Sequence, residues 1–463
     1  MDHFVREYGS FPYSTFKLCF VDDAPQLVQA SASITICSNN VLYPVEIIDF
    51  LYPTTRLLTV ALTSQWIGIN IVPRKYSDMW LVIGLSHYMA DIFLKRLMGN
   101  NDYRFRIKKA MERIIAEDIS QSPLADQKMD APISQSTIDF ITLKAPIVLF
   151  ILNQRLTKPA NSVGLQKVIT KILLDGMSGD LVSLSTSTFL RKCEKHGHMR
   201  LDAFANQYIF GTGVPRFHVS QRFNRKKTVI EVVLKQLPAN QRPAKKLTKE
   251  MFVDEGLKYI DKETPVQPQH LFTGPMTLRI YDDEGTPYEQ TIEIRETAHR
   301  TEIQYNNTRR AKLKRRDTAV FTNGDLPTAG DVVLSLGDVL TSPEDFDQWK
   351  LANWRDEDYE RMGQDAFAWL RIDADLEWIC EVNLLMPEWM YAAQLQQDRD
   401  VVAQYQVFSF HSTTNESIKY FAELKESAMI STIMIRTLMD ERYYYGIRQE
   451  AAYVLAKVSS HLS

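Results

Sequence analysis

The chain has 463 residues, 45% of them hydrophobic and 24% charged, with a formal net charge of −3. That length accommodates roughly two to four domains with a sizeable buried core. The near-neutral balance excludes a global attraction to nucleic acid or anionic membrane, so any such binding has to come from local clusters.

Residues 1 to about 210 mix short apolar strand-like pieces with helical stretches such as 101–119, where Ile107, Met111, Ile114 and Ile115 fall on one face. The start, Met-Asp-His-Phe-Val-Arg-Glu-Tyr, has no signal-peptide pattern. The longest apolar run, Ala145 to Leu152, is too short to cross a bilayer, so a soluble, intracellular chain with no membrane partner is expected. A further helical pattern, Leu201, Phe204 and Tyr208, stops at Gly211-Thr212-Gly213. Strand signals follow at Phe217, Val219 and Val229 to Leu234, then in the alternation Met276, Leu278, Ile280 and, after the Asp282-Asp283-Glu284-Gly285 turn, Ile292 and Ile294. A β-sandwich fits this region. Two polar stretches, about 238–270 with Pro238, Pro243, Pro265 and Pro268 and about 297–366 with dense charge, are long for compact loops and are expected to be largely disordered. Beyond residue 383 the pattern is helical again, with Ile447, Ala451, Ala452, Val454, Leu455 and Val458 at helical spacing, where a helical-hairpin repeat array begins.

No strong catalytic motif emerges. Zinc peptidases place two His at i and i+4 on a helix around a Glu, so that both imidazoles face one metal and the carboxylate takes a proton from its water. None of the nine histidines has another four residues away. His196 and His198 beside Cys193 lack a fourth donor and fit an exposed helix end better than a metal site. Gly84-Leu85-Ser86-His87-Tyr88 lacks the second Gly of a nucleophile elbow and reads as core packing, and no phosphate loop is present. Cys19, Cys37, Cys193 and Cys380 never approach C-x-x-C spacing, which suits a reducing compartment, and Cys19 and Cys37 lie in apolar alternating stretches where buried, inert thiols are expected.

One segment has a recognisable frame. Thr59 to Gly68 (TVALTSQWIG) followed by Asp78 to Tyr88 (DMWLVIGLSHY) is similar to the zinc-helix region of gluzincin aminopeptidases, H-E-x-x-H-Q-W-x-G and then D-x-W-L-x-E-G-x-x-x-Y. On that pattern the first His is Val60, the general-base Glu is Ala61, the second His is Ser64 and the third ligand, a Glu, is Ile83. Gln65, Trp66, Gly68, Asp78, Trp80, Leu81, Gly84 and Tyr88 keep the frame. Val, Ala and Ile offer no lone pair, and one serine hydroxyl does not hold zinc. Gly9-Ser10-Phe11-Pro12-Tyr13-Ser14 stands where those enzymes carry G-x-M-E-N, and Thr142-Leu143-Lys144-Ala145 where they carry Y-x-K-G, so the amine-binding Glu and the transition-state Tyr are missing as well. The resemblance therefore implies a non-enzymatic chain with no catalytic residue, no metal ligand and no cofactor, and no small-molecule substrate.

Four collinear stretches narrow the family: Phe11-Pro12-Tyr13-Ser14-Thr15-Phe16-Lys17, Leu184-Ser185-Thr186-Ser187-Thr188-Phe189-Leu190, Phe223-Asn224-Arg225-Lys226 before Lys235-Gln236, and Trp369-Leu370-Arg371-Ile372-Asp373-Ala374-Asp375 with the segment Gln394 to Gln404. They resemble the TBP-associated factor two family of the general transcription factor TFIID. The resemblance implies an α+β multidomain fold: a mostly helical, thermolysin-like domain over 1–210, a β-sandwich domain with polar insertions over 211–382, and the start of a HEAT-like α-helical repeat array over 383–463. It also implies a central fragment of a longer protein, a nuclear location, and partnership with other TFIID subunits and core-promoter DNA as an assembly scaffold. Two rival readings are an active zinc aminopeptidase with displaced ligands and a peptide-binding module that does not cleave.

The strongest local charge is Arg309, Arg310, Lys312, Lys314, Arg315 and Arg316, six cations in eight residues. By itself such a run contacts phosphates, serves as an import signal or is a solvated loop. The resemblance favours promoter DNA, with Arg225, Lys226 and Lys227 adding to it, while Asp356-Glu357-Asp358 offers an intramolecular counter-charge. No aromatic residue interleaves with the run, which argues against stacking on single strands.

Overall fold

A computed structural model describes residues 1–118, 121–126, 133–158, 164–179, 181–237, 256, 269–281, 287–304, 336–362, 367–409 and 428–460. The chain forms two compact units: Met1–Arg216, Leu237–Gly274 and Asp375–Glu381 make the first, and Phe217–Gln236, Pro275–Ala374 and Val382–Ser463 make the second.

Unit one opens with α1 (Asp2–Tyr8) and a three-stranded sheet of β1 (Lys17–Val21), β2 (Val28–Ser31) and β3 (Ile34–Ser38), in the order β1-β3-β2. β1 runs parallel to β3, and β2 antiparallel to it. Helices follow: α2 (Leu51–Thr63), α3 (Met79–Met98), α4 (Asn100–Glu117), α5 (Gln135–Thr157), α6 (Leu165–Met177), α7 (Thr186–Gly197) and α8 (Asp202–Tyr208), with the two-residue strands β4 (Val72–Pro73) and β5 (Ser183–Leu184) paired between them. The expected helix at 101–119 is α4, with Ile107, Met111, Ile114 and Ile115 all buried. α5 is apolar nearly all round, the mark of a helix surrounded by protein. The apolar run at 145–152 belongs to this helix, which by length and composition is long enough to cross a membrane, yet 61% of its most apolar window is buried inside the fold. α3 and α5 approach so closely at Gly84 that a Cβ there would sit 2.9 Å from that of Ala145. α5 also carries the buried pair Lys144–Asp118 at 2.8 Å.

Unit two carries two sheets. One has the order β10-β7-β6-β12 and the other β11-β8-β9, from β6 (Arg216–Asn224), β7 (Val229–Leu237), β8 (Gly274–Tyr281), β9 (Pro287–Ile294), β10 (Ala298–Gln304), β11 (Trp369–Ile372) and β12 (Glu381–Leu384). The strand signals at 217–219, 229–234, 276–280 and 292–294 all fall in these strands. Of the polar stretch 297–366, expected to be largely disordered, the described parts are ordered: β10 pairs with β7, and α9 (Pro343–Trp349) and α10 (Asp356–Met362) follow. α9 starts on a capping box in which Ser342 and Asp345 satisfy each other's backbone N–H. Residues 238–255, 257–268 and the 282–285 turn lie outside the described residues. The C-terminal part is helical as expected: α11 (Glu388–Gln397), α12 (Val401–Ser409), α13 (Ala428–Met439) and α14 (Tyr445–Ser460), with α13 packed on α14 and α11 on α12.

Two of the family-like stretches, 369–375 and 394–404, meet inside unit two. The buried Arg371 guanidinium of β11 donates to Asp398 at 3.2 Å and to Asp400 at 2.9 Å, at the start of α12. Asp400 accepts in turn from the Val402 amide, which caps that helix.

Candidate functional site

The four positions expected from the sequence pattern to align with metal ligands and base lie on two packed helices. Val60 and Ala61 are in the last turn of α2, Ser64 follows it, and Ile83 lies in the second turn of α3. Ala61 is buried, and the Ser64 hydroxyl is spent on the Ala61 carbonyl at 2.8 Å. The Thr63 hydroxyl reaches the carbonyls of Val60 at 3.0 Å and Ser86 at 2.8 Å, tying the end of α2 to the turn of α3 that follows Ile83. Among the described residues no group of three or more His, Cys, Asp or Glu is placed to hold a metal ion. Cys193 is buried and burial pushes its thiol pKa well up, while His196 is half-buried and His198, in a left-handed conformation, caps the exposed end of α7.

The frame around these positions is fully engaged. Gln65, buried, accepts from the Ser33 amide at 2.9 Å and donates to the Ser31 carbonyl at 3.0 Å, which pins the β2–β3 turn to the end of α2. Trp66 donates its indole N–H to the Ser10 carbonyl at 2.9 Å and meets the Phe11 ring edge-on at 5.0 Å, so the 9–14 stretch lies against it. Gly68 has φ 121°, a conformation that side chains rarely adopt. Trp80 is buried and donates to the Thr186 hydroxyl at 3.0 Å, and Asp78 accepts from the Thr186 amide at 2.8 Å and hydroxyl at 2.7 Å. The 184–190 stretch thus folds onto the 78–88 segment, a role for Thr186 that only the fold reveals. A polar network runs along α2, α3 and α4: Arg56 holds Asp91 at 2.7 Å, Arg106 holds Asp102 at 2.8 Å, and the Arg106 guanidinium lies 3.4 Å over the Tyr52 ring. His87 nearby has a buried Nδ1 without a partner, and burial together with Arg56 pushes its pKa down to about 3.

The thiols differ from expectation in one case: Cys37 is buried, but Cys19 is exposed, because β1 is an edge strand with both faces open. Arg309, Arg310, Lys312, Lys314, Arg315 and Arg316 lie outside the described residues. Arg225, Lys226 and Lys227 form the exposed turn between β6 and β7, where Lys227 pairs with Glu302 of β10 at 3.3 Å. The acidic residues 356–358 form the first turn of α10.

Residues 212–387 match the family model described as "TAF2 Ig-like domain". Over 465 aligned residues the chain is 46% identical to transcription initiation factor TFIID subunit 2 of Schizosaccharomyces pombe, covering 99% of this chain and 39% of that protein. It is 37% identical to the Saccharomyces cerevisiae protein of the same name, covering 99% of this chain and 33% of that protein. The chain therefore spans well under half the length of these relatives. A solved structure of Legionella pneumophila aminopeptidase A matches all of this chain and 46% of its own, with TM-score 0.58 at 9% identity, which is a likeness of fold. Similarity to TFIID subunit 2 runs through both units and across the frame at 59–88, so the chain resembles that family along the whole of its own length.

Proposed function

We propose that this chain is a non-enzymatic scaffold that acts within TFIID in transcription initiation, in the nucleus, by holding other TFIID subunits and helping to place the complex on core-promoter DNA. The observation that carries this reading is 46% identity along 99% of the chain to a protein named as a TFIID subunit. In this reading 1–210 is a thermolysin-like domain whose ligand positions Val60, Ser64 and Ile83 and base position Ala61 have lost their chemistry, 211–382 is a β-sandwich, and 383–463 begins a HEAT-like array. The Ser64 hydroxyl spent on its own helix and the Thr63 hydroxyl bridging α2 to α3 beside these positions support it, since a hydrolytic zinc centre needs three ligands, a base and an open coordination site.

Affinity purification of the chain from nuclear extract tests the assembly claim: TFIID subunits co-purify in stoichiometric amount if it is right and are absent if it is wrong. Zinc content separates the scaffold from a peptidase with displaced ligands; one tightly held zinc per chain, whose removal abolishes aminopeptidase activity, would refute the scaffold. For DNA, replacing the six cations between Arg309 and Arg316 with Ser is expected to flatten a log–log salt slope of up to about −5. An unchanged slope assigns that run to solvation or import.

A further inference from the structure

The short piece Asp375–Glu381 belongs to unit one, although the residues on either side of it, Ala374 and Val382, belong to unit two. So short a piece has to be held. Leu376, Glu377, Trp378, Ile379 and Cys380 are all buried, and the chain enters with Asp373 and Leu376 in left-handed conformations, which such residues keep only where their surroundings fix them. The end of α5 supplies three holds: Gln154 donates to the Asp375 carbonyl at 3.1 Å, Lys158 pairs with Glu377, and the Arg155 guanidinium lies 5.4 Å over the Trp378 ring.

Arg155 is the unusual one of the three. It is only 7% exposed, yet its Nε and Nη2 find no hydrogen-bond acceptor among the described residues. Those two atoms are the side of the fork that ordinarily takes a carboxylate, and burying them unmet is costly. Its surroundings are aromatic instead. Phe204 and Tyr208 of α8 lie 5.0 and 5.6 Å from the guanidinium, so with Trp378 three buried rings enclose one cation at distances where each attracts it. A second passage of the chain closes the enclosure. Gly274 comes so near that a Cβ there would lie 3.5 Å from Nη1 and Nη2 and 3.6 Å from the Trp378 ring. Phe272 meets the Tyr208 ring at 5.8 Å, and the Thr273 hydroxyl accepts from Gln207 at 2.9 Å. All of these groups belong to unit one.

We propose that Phe204, Tyr208 and Trp378 form a cage selective for a planar, delocalised cation, that the chain's own Arg155 fills it, and that filling it seats residues 375–381 in unit one. An unbranched apolar side chain of similar length would fill the same space without burying unmet donors, so attraction between cation and rings is what an arginine adds at this position. The inference goes beyond the assembly reading and does not rest on it.

The full chain is labelled with 5-fluorotryptophan, the Trp378 resonance is assigned by its loss in Trp378→Phe, and amide exchange over 376–380 is followed by mass spectrometry. Arg155→Met keeps the length and removes both the charge and the unmet donors. The expected result is exchange over 376–380 about tenfold faster in Arg155→Met, an intermediate rate in Arg155→Lys, and no change in α3. A rate in Arg155→Met at or below that of the unaltered chain overturns the proposal, because the guanidinium is then a tolerated cost. The same rise in α3 also overturns it, because the loss is then that of the whole unit. Arg155→Ala empties the cage: about 20 mM methylguanidinium should return the fluorine resonance toward its original position and slow the exchange about fivefold, whereas urea, of similar shape without charge, should do neither. Equal effects of the two, or no effect of either, overturn the proposal. If Arg155→Ala is recovered unfolded, the comparison is read as refolding yield, where a gain with methylguanidinium and not with urea supports the cage and equal yields overturn it.

Discussion

Trp80→Ala tests whether the frame at 78–88 is held for packing. The indole is fully buried, its N–H is bonded to the Thr186 hydroxyl at 3.0 Å, and the Phe189 ring meets it edge-on at 6.4 Å. Truncation loses the burial of the whole ring and leaves a cavity between α3 and α7, a cost of about 3–5 kcal/mol. For a unit of this size that corresponds to a fall in Tm on the order of 10 °C. Trp80→Phe keeps much of the ring and loses the hydrogen bond, about 0.5–1.5 kcal/mol plus a smaller cavity term. Asp78→Ala strips the Thr186 amide and hydroxyl of their acceptor at the first turn of α7, about 1.5–3 kcal/mol because the lost bonds are to a charged group. Near-ultraviolet circular dichroism and hydrogen exchange of α3 and α7 read the three variants in parallel. The reasoning is refuted if Trp80→Ala costs less than about 1 kcal/mol, or if Trp80→Phe costs as much as Trp80→Ala. Co-purification with TFIID subunits should fall with the stability of Trp80→Ala; if it does not, assembly runs through unit two.

Lys144→Met leaves the buried Asp118 carboxylate without its cation and should destabilise by about 3–5 kcal/mol in urea melts, whereas Lys144→Met with Asp118→Leu should recover most of the loss. The pKa of His87 is pushed down to about 3 in the fold, below its unfolded value near 6.5, so the unfolded chain binds more protons between those limits. Stability is therefore full above about pH 6.5 and is lost as pH falls toward 3, by at most about 1.4 kcal/mol per pH unit, and His87→Gln should flatten that limb of the urea-melt profile. Installing Val60→His, Ala61→Glu, Ser64→His and Ile83→Glu together should lower the Tm, because polar groups enter packed surroundings without the rest of a metal site, and should not improve co-purification.

Periodicity reports a local environment, and strand pairing that does not depend on side chains leaves no such trace. Helix α4 was legible because Ile107, Met111, Ile114 and Ile115 all meet the core, and β6 to β9 because their apolar residues alternate. β10 was not: only Ile303 of its seven residues is buried, and it is held by backbone pairing with β7 from Ala298↔Lys235 to Gln304↔Val229, which leaves no apolar signature. Cys19 is exposed rather than buried for the related reason that alternation shows which residues share a face and not whether the face is covered.

The frame at 59–88 was legible because each of its residues answers a geometric demand of the fold. Gln65 satisfies a buried turn, Trp66 anchors the 9–14 stretch, Gly68 supplies a positive φ, Gly84 lets α5 approach, and Asp78 serves the first turn of α7. Replacing any of them leaves an unpaired buried group, a cavity or a clash, whereas Val60, Ala61, Ser64 and Ile83 answer packing and local turns that many residues meet. Long-range partners stayed hidden because they are distant in the chain: Trp80 of the frame meets Thr186, 106 positions away, and in unit two Arg371 meets Asp398 across a strand and a helix. The residues that test a shared fold are therefore those whose contacts are long-range and buried.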